Sequence, residues 1–223
     1  MIPNKVIAAV NAGLKLYRDC VRKAPRYPLD AVKEYEAWFN DTFLIELTSR
    51  LTVKAGRWIA DDKAYLVIGT AGRLALEGCQ SILLPVFNAW IEREYPKFWK
   101  QGLEYARVMA DMQGSPEPAP FGDADVGQIA VLVTGEIATQ ADHADHHRRY
   151  VERVVSAALS NGWDTKRFMA AMTVPQGIVA FPFGNTRYSW TTHITRMIEG
   201  RARAAFASAA ENRAMQMEGE LPE

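Results

Sequence analysis

The chain has 223 residues, 48% of them apolar, enough to bury one sizeable core or two modest ones without disorder or a disulfide scaffold. Its two cysteines, Cys20 and Cys79, form no CxxC pair, which excludes a zinc knuckle and reads as reduced core residues. The 26 basic and 26 acidic residues cancel in number but are segregated: residues 1–33 hold seven Lys/Arg against two acids, whereas 111–147 hold seven acids and no Lys or Arg.

Opposed charge of this kind favours docking onto another copy or onto an oppositely charged partner. No apolar run such as VIAAV or IAVLV approaches the ~20 residues that span a bilayer. The expectation is a soluble intracellular product with no secretory leader and no membrane association.

Helical periodicity dominates from the start. Ile7, Val10, Leu14, Tyr17 and Val21 recur at spacings of three and four, predicting an apolar stripe along a helix that begins after Pro3. It should stop before KAPRYP, where Pro25 and Pro28 cannot join its ladder. A second helix is predicted from about Asp30, its N-cap, to Lys54, with Val32, Trp38, Phe43, Leu47 and Leu51 on one face. Residues 61–78 and 80–112 predict further helices, the first capped by Asp61 and the second kinked or divided at Pro85 and Pro96. The two glycines of IGTAGR, 68–73, read as a close-packing point.

QGSPEPAPFGD, residues 113–123, reads as a linker or long loop between a helical region 1–112 and another at 124–223. A long helix from Asp123 to Ser160 should bury Val126, Ile129, Val133, Ile137, Val151, Val155 and Ala158, and stop at Asn161-Gly162. Asp164 then caps a short helix to Met172, and 173–188 predicts a loop or small hairpin. A closing helix from Ser189 to Glu218 carries Trp190, Ile194, Met197, Ile198 and Phe206, with an alanine-rich end suited to close approach of another helix. The fold class expected is all-α, a multi-helix bundle of long helices with a small insertion near 173–188.

Candidate site residues fall in three groups. QADHADHHRRY, 140–150, holds three of the four histidines. At roughly 100° per residue, His143, His147 and Glu136 form one ladder beside the buried stripe, while Asp142, Asp145 and His146 point outward. Imidazoles at i and i+4 can share one metal, so these three are candidate ligands, but a centre needs a further ligand from elsewhere. HADHH also matches the H-x-x-H-H box of membrane desaturases, which require further boxes and membrane spans. The ladder is therefore expected to be the polar flank of an assembly surface whose histidines titrate near pH 6–7, and no cofactor is expected.

The second group is the aromatic WIEREYPKFWK, where Trp90 and Trp99 suit an interface. The third is the arginine-rich last helix, where Arg196, Arg201, Arg203 and Arg213 suit an acidic neighbour or DNA. No GxSxG elbow, Walker loop or strand-borne GxGxxG is present, so no enzyme is expected.

Two stretches resemble bacteriophage virion proteins. YVERVVSAALSNGWDTKRFMAAM with RYSWTTHITRMIEGRARAAFASAAENRAMQ, within 150–215, is similar to phage Mu F-like minor head, or head morphogenesis, proteins. FNDTFLIELTSRL (39–51) with YARVMADMQGSPEPAP (105–120) resembles the helical core of head-to-tail adaptor proteins. These resemblances imply a structural protein of the portal vertex, assembled in the host cytoplasm and carried in the virion, with copies of itself and portal or capsid proteins as partners. A metal-binding enzyme using His143 and His147, and a DNA-binding helical protein, stand as alternatives.

Overall fold

The computed structural model describes residues 4–183 and 186–217. α1 (Asn4–Arg22) ends where KAPRYP begins, as its prolines require. α2 (Pro28–Trp38) opens on the last proline of that stretch, in a first turn where no N–H is needed; Tyr27, not Asp30, occupies its N-cap position. The ladder widens into a π-helical segment at Phe39–Phe43 and continues as α3 (Leu44–Ser49). The helix expected to reach Lys54 stops there. Thr52–Lys54 (β1) and Arg57–Ile59 (β2) pair as an antiparallel hairpin instead. Ala55 (φ 49°) and Gly56 (φ 75°) are both left-handed, as a two-residue primed turn demands.

Asp61 prepares the next helix: its carboxylate accepts the Lys63 N–H at 2.9 Å and the Thr52 hydroxyl at 2.6 Å. α4 (Ala64–Gly78) then runs through a second π-helical segment, Cys79–Leu83, into α5 (Leu84–Gln113). Contrary to expectation, neither Pro85 nor Pro96 divides it. In the π segment the Leu84 N–H reaches back to the Cys79 carbonyl, which shifts the ladder just before Pro85, the residue with no N–H to give. Ala64–Gln113 is therefore long and apolar enough to cross a membrane by length and composition, which the short apolar runs did not suggest. Its Leu83, Phe87, Trp90 and Ile91 are buried within the protein.

α6 (Asp123–Ser160) has the predicted bounds, and Gly162, at φ 60°, supplies the left-handed stop after it. Asp164 caps α7 (Thr165–Met172) by accepting the Arg167 N–H at 2.7 Å. The insertion is a three-stranded antiparallel sheet of β3 (Thr173–Val174), β4 (Gly177–Phe183) and β5 (Thr186–Ser189), in the order β3-β4-β5. Thr173 faces Ile178 and Val179 faces Ser189, with an irregularity between Val179 and Phe181. α8 (Trp190–Met217) follows, its Thr192 N–H held by the Ser189 hydroxyl at 3.0 Å. The predicted last residue of this helix, Glu218, lies outside the described residues.

The fold is all-α with a small insertion, but it does not part at 113–123. One compact unit gathers 1–26, 89–137 and 196–223, and a second gathers 27–88 and 138–195. Each draws on both sides of 113–123, so the expected regions 1–112 and 124–223 are not the packing units. The reason is that α5, α6 and α8 each contribute one end to each unit.

In the first unit Trp90, Ile91, Phe98, Trp99, Ile198 and Phe206 are buried. α5 and α8 approach so closely that a Cβ on Gly102 would strike the Phe206 carbonyl. In the second unit Phe39 stacks on Phe43 at 4.3 Å and Trp58 lies against Phe168 at 4.8 Å. Each such ring removes enough apolar surface from water to contribute about 1.5–3 kcal/mol.

Candidate assembly surface

The histidine ladder does not face outward. His147 is fully buried in the second unit. Its Nδ1 is 2.7 Å from the Ala180 carbonyl, to which an N–H must donate, and this leaves Nε2 to accept the Tyr35 hydroxyl at 2.6 Å. Burial pushes its pKa down to about 4, so the expected titration near pH 6–7 fails for this residue. Burial also pushes the Tyr35 hydroxyl well up and the Cys79 thiol up to about 12, which keeps this inner group neutral and unreactive.

His143 stacks on Phe181 at 5.2 Å and meets His193 edge-on at 4.5 Å. His146 is exposed, 3.4 Å from Asp142. Glu136, the third candidate ligand, pairs with Arg201 at 2.7 Å. Among the described residues no group of three or more His, Cys, Asp or Glu could hold a metal. Tyr35, Phe181 and His193, which surround the histidines, come from distant elements and left no local pattern in the sequence.

Burial also removes half of the expected interface residues. The Trp90 indole N–H donates to the Pro25 carbonyl at 3.0 Å, and the Trp99 indole donates to Asp125 at 2.9 Å. Asp125 also accepts the Gly122 N–H at 2.9 Å and the Arg213 guanidinium, which donates in turn to the Pro120 carbonyl at 3.0 Å. Trp90, Trp99 and Arg213 are thus internal, their indole N–H groups and the guanidinium's terminal nitrogens held by the partners that burial calls for. Arg201 is half-exposed and paired, so Arg196 and Arg203 remain as the exposed members of the arginine group.

What does face outward is the apolar stripe of α1. Cys20 and Ala24 are buried and Gly13 packs beneath the Tyr105 ring, so this region seats itself along a line of small residues beside the predicted stripe. The Cys20 thiol meets the Ala202 carbonyl at 3.5 Å and Arg26 pairs with Glu199 at 3.2 Å. Ile7, Val10, Leu14 and Tyr17 remain 47, 40, 43 and 36% exposed. Periodicity marked an apolar face correctly but not which part of it the protein covers.

Beside this stripe lies an open groove of about 830 Å³, lined by Leu14, Tyr17, Arg18 and Arg22 from α1 and by Glu199 and Arg203 from α8. Lys23 and Arg22 bind Asp19 at 2.9 and 3.1 Å and hold its carboxyl below the usual range, so the acid stays ionised within a mainly basic wall. α1 therefore presents bulky apolar groups with cations along one flank.

A second exposed face, in the same unit, is its chemical complement. Val126 is 53% and Val131 70% exposed, with Ala124, Gly127, Ala130 and Thr134 exposed around them; Val126 was expected inside. No charged residue occurs from 126 to 135. Asp123 at the start of this helix and Glu117 in the segment before it are exposed, whereas Asp125 and Glu136 are taken inside by arginines.

No known protein family, curated protein or solved structure matches the chain. The site rests on its own chemistry. The buried His147, with both ring nitrogens taken, is closed to a ligand, whereas exposed branched side chains flanked by arginine are the composition of a contact surface.

Proposed function

We propose that this chain is a structural assembly protein of a tailed-phage virion, acting in head morphogenesis or at the head–tail junction by binding copies of itself and portal or capsid proteins. The observation that carries the assembly reading is the outward face of α1, where Ile7, Val10, Leu14 and Tyr17 stay partly exposed beside Arg18 and Arg22. An amphipathic helix that leaves its large apolar residues uncovered is stabilised by covering them, at roughly 25 cal/mol per Å².

The phage assignment is supported by the resemblance of 150–215 to minor head proteins and of 39–120 to adaptor proteins. In that stretch α6 ends at Ser160 before the Asn161-Gly162 turn, the short α7 follows, and after the three-stranded insertion comes the Trp-led, Arg- and Ala-rich α8. The reading needs no cofactor and no reactive centre.

Light scattering of the purified chain at rising concentration, in low and high salt, tests it, together with co-purification against portal and capsid proteins. The expected result is a salt-sensitive oligomer or a complex with a virion component. A monomer at every concentration and salt, binding neither portal nor capsid protein, contradicts it.

A further inference from the structure

We propose that the outward face of α1 docks on the exposed first half of α6 of a second copy, a head-to-tail contact that repeats from one copy to the next. The inference deepens the assembly reading and rests on it.

Shape is the first argument. The α1 face presents branched and aromatic groups, Ile7, Val10, Leu14 and Tyr17, whereas the α6 face is low and uncharged, built from Val126, Gly127, Ala130, Val131 and Thr134. Large side chains on one helix and small ones on the other let two axes approach to about 8–10 Å. The lengths agree: Ile7 to Tyr17 spans about 15 Å and Val126 to Gly135 about 14 Å, at 1.5 Å per residue.

Charge fixes the direction. The cations of α1 cluster in its C-terminal half, at Lys15, Arg18 and Arg22, with Lys23 just beyond it; Asp19 binds Arg22 and Lys23 and leaves a net positive charge. The exposed acid at the start of α6 is Asp123, with Glu117 in the segment leading into it; of the cations on that side, Arg107 is bound to Glu104 and Lys100 lies over Phe121. An antiparallel crossing brings these opposite charges together and sets the helix dipoles head to tail.

The two faces are different surfaces of one unit, so each copy offers one and uses the other. Such a contact closes into a ring or extends as a filament. A parallel two-fold pairing of α1 with α1 would instead oppose Arg18 and Arg22 to their own copies.

Leu14→Glu and Val131→Glu test this, since both positions are exposed. Each variant alone should be monomeric by light scattering, with a melting temperature within a few degrees of the parent. Mixed in equal amounts they should give a one-to-one dimer and nothing larger, because only one intact pair of faces remains. As a second arm, Arg18→Glu and Asp123→Arg should each weaken assembly by about tenfold or more, and the double variant should recover it.

Assembly of both glutamate variants to the parent's size overturns the contact while leaving the assembly reading standing; so does a mixture that stays monomeric. A parent chain that binds phosphatidylserine vesicles or duplex DNA through Leu14 or Arg18, without self-association, assigns the α1 face to a different partner and also overturns it. A parent chain that neither self-associates nor binds portal or capsid protein overturns both.

Discussion

His147 shows how one side chain turns burial into a pH response. Its folded pKa of about 4 lies below the ordinary value of 6.5 because the imidazolium would lose its hydration inside the core. Above 6.5 both folded and unfolded chains carry a neutral ring. As pH falls from 6.5 towards 4, the unfolded chain takes up the proton first, so the folded state loses up to about 3 kcal/mol across that window. Thermal melts of the parent should drop over it, and His147→Gln, which titrates nowhere there, should drop less.

Arg213 makes the complementary point. Its guanidinium and the Asp125 carboxylate are both buried and satisfy the Trp99 indole and the Pro120 carbonyl between them. Arg213→Met leaves the buried Asp125 without its partner cation, and chemical denaturation should show a loss of about 3–5 kcal/mol. The sequence showed an aspartate and an arginine 88 residues apart; nothing local signalled that they would meet. The i, i+4 imidazoles were legible, but whether they turn towards a metal, water or a carbonyl was decided by Ala180 and Tyr35.

At the scale of elements, the bounds of α6 and α7 were legible because their signals are local: Asp123 at the start, Asn161-Gly162 at the stop, and Asp164 as a cap. The hairpin at 52–59 was not, since its Ala55-Gly56 turn is a weaker signal than the apolar period running into it. The π segments escaped for a different reason. A π turn alters the hydrogen-bond ladder without altering which residues are apolar, so Pro85 read as a break.

Glycines separate close packing from mere tolerance. A Cβ at Gly102 meets the backbone carbonyl of Phe206, whereas at Gly69 it meets nothing within 4 Å. Gly102→Ala should therefore cost about 1–3 kcal/mol by overpacking. Gly69→Ala should instead stabilise the protein by roughly 0.5–1 kcal/mol through helix propensity. Denaturant midpoints of the two variants, moving in opposite directions, check both. Gly72, which shares IGTAGR with Gly69, is the real contact point of that motif, set against the Glu152 side chain.

For the whole molecule, segregated charge proved to have two parts. Asp125, Glu136 and Asp145 are answered within the chain by Arg213, Arg201 and Arg148, whereas Asp111, Glu117, Asp123 and Asp142 face outward. A count along the sequence cannot separate those parts, just as the linker-like composition of 113–123 cannot show that long helices contribute to both compact units. The outward remainder, with the α1 stripe, carries the functional reading. The measurement that addresses it most directly is the native mass of the parent chain beside Leu14→Glu at equal concentration in low salt. The expected result is an oligomer for the parent that dissociates as salt is raised, and a folded monomer for the variant. Equal masses for the two proteins, whatever that mass is, would contradict it.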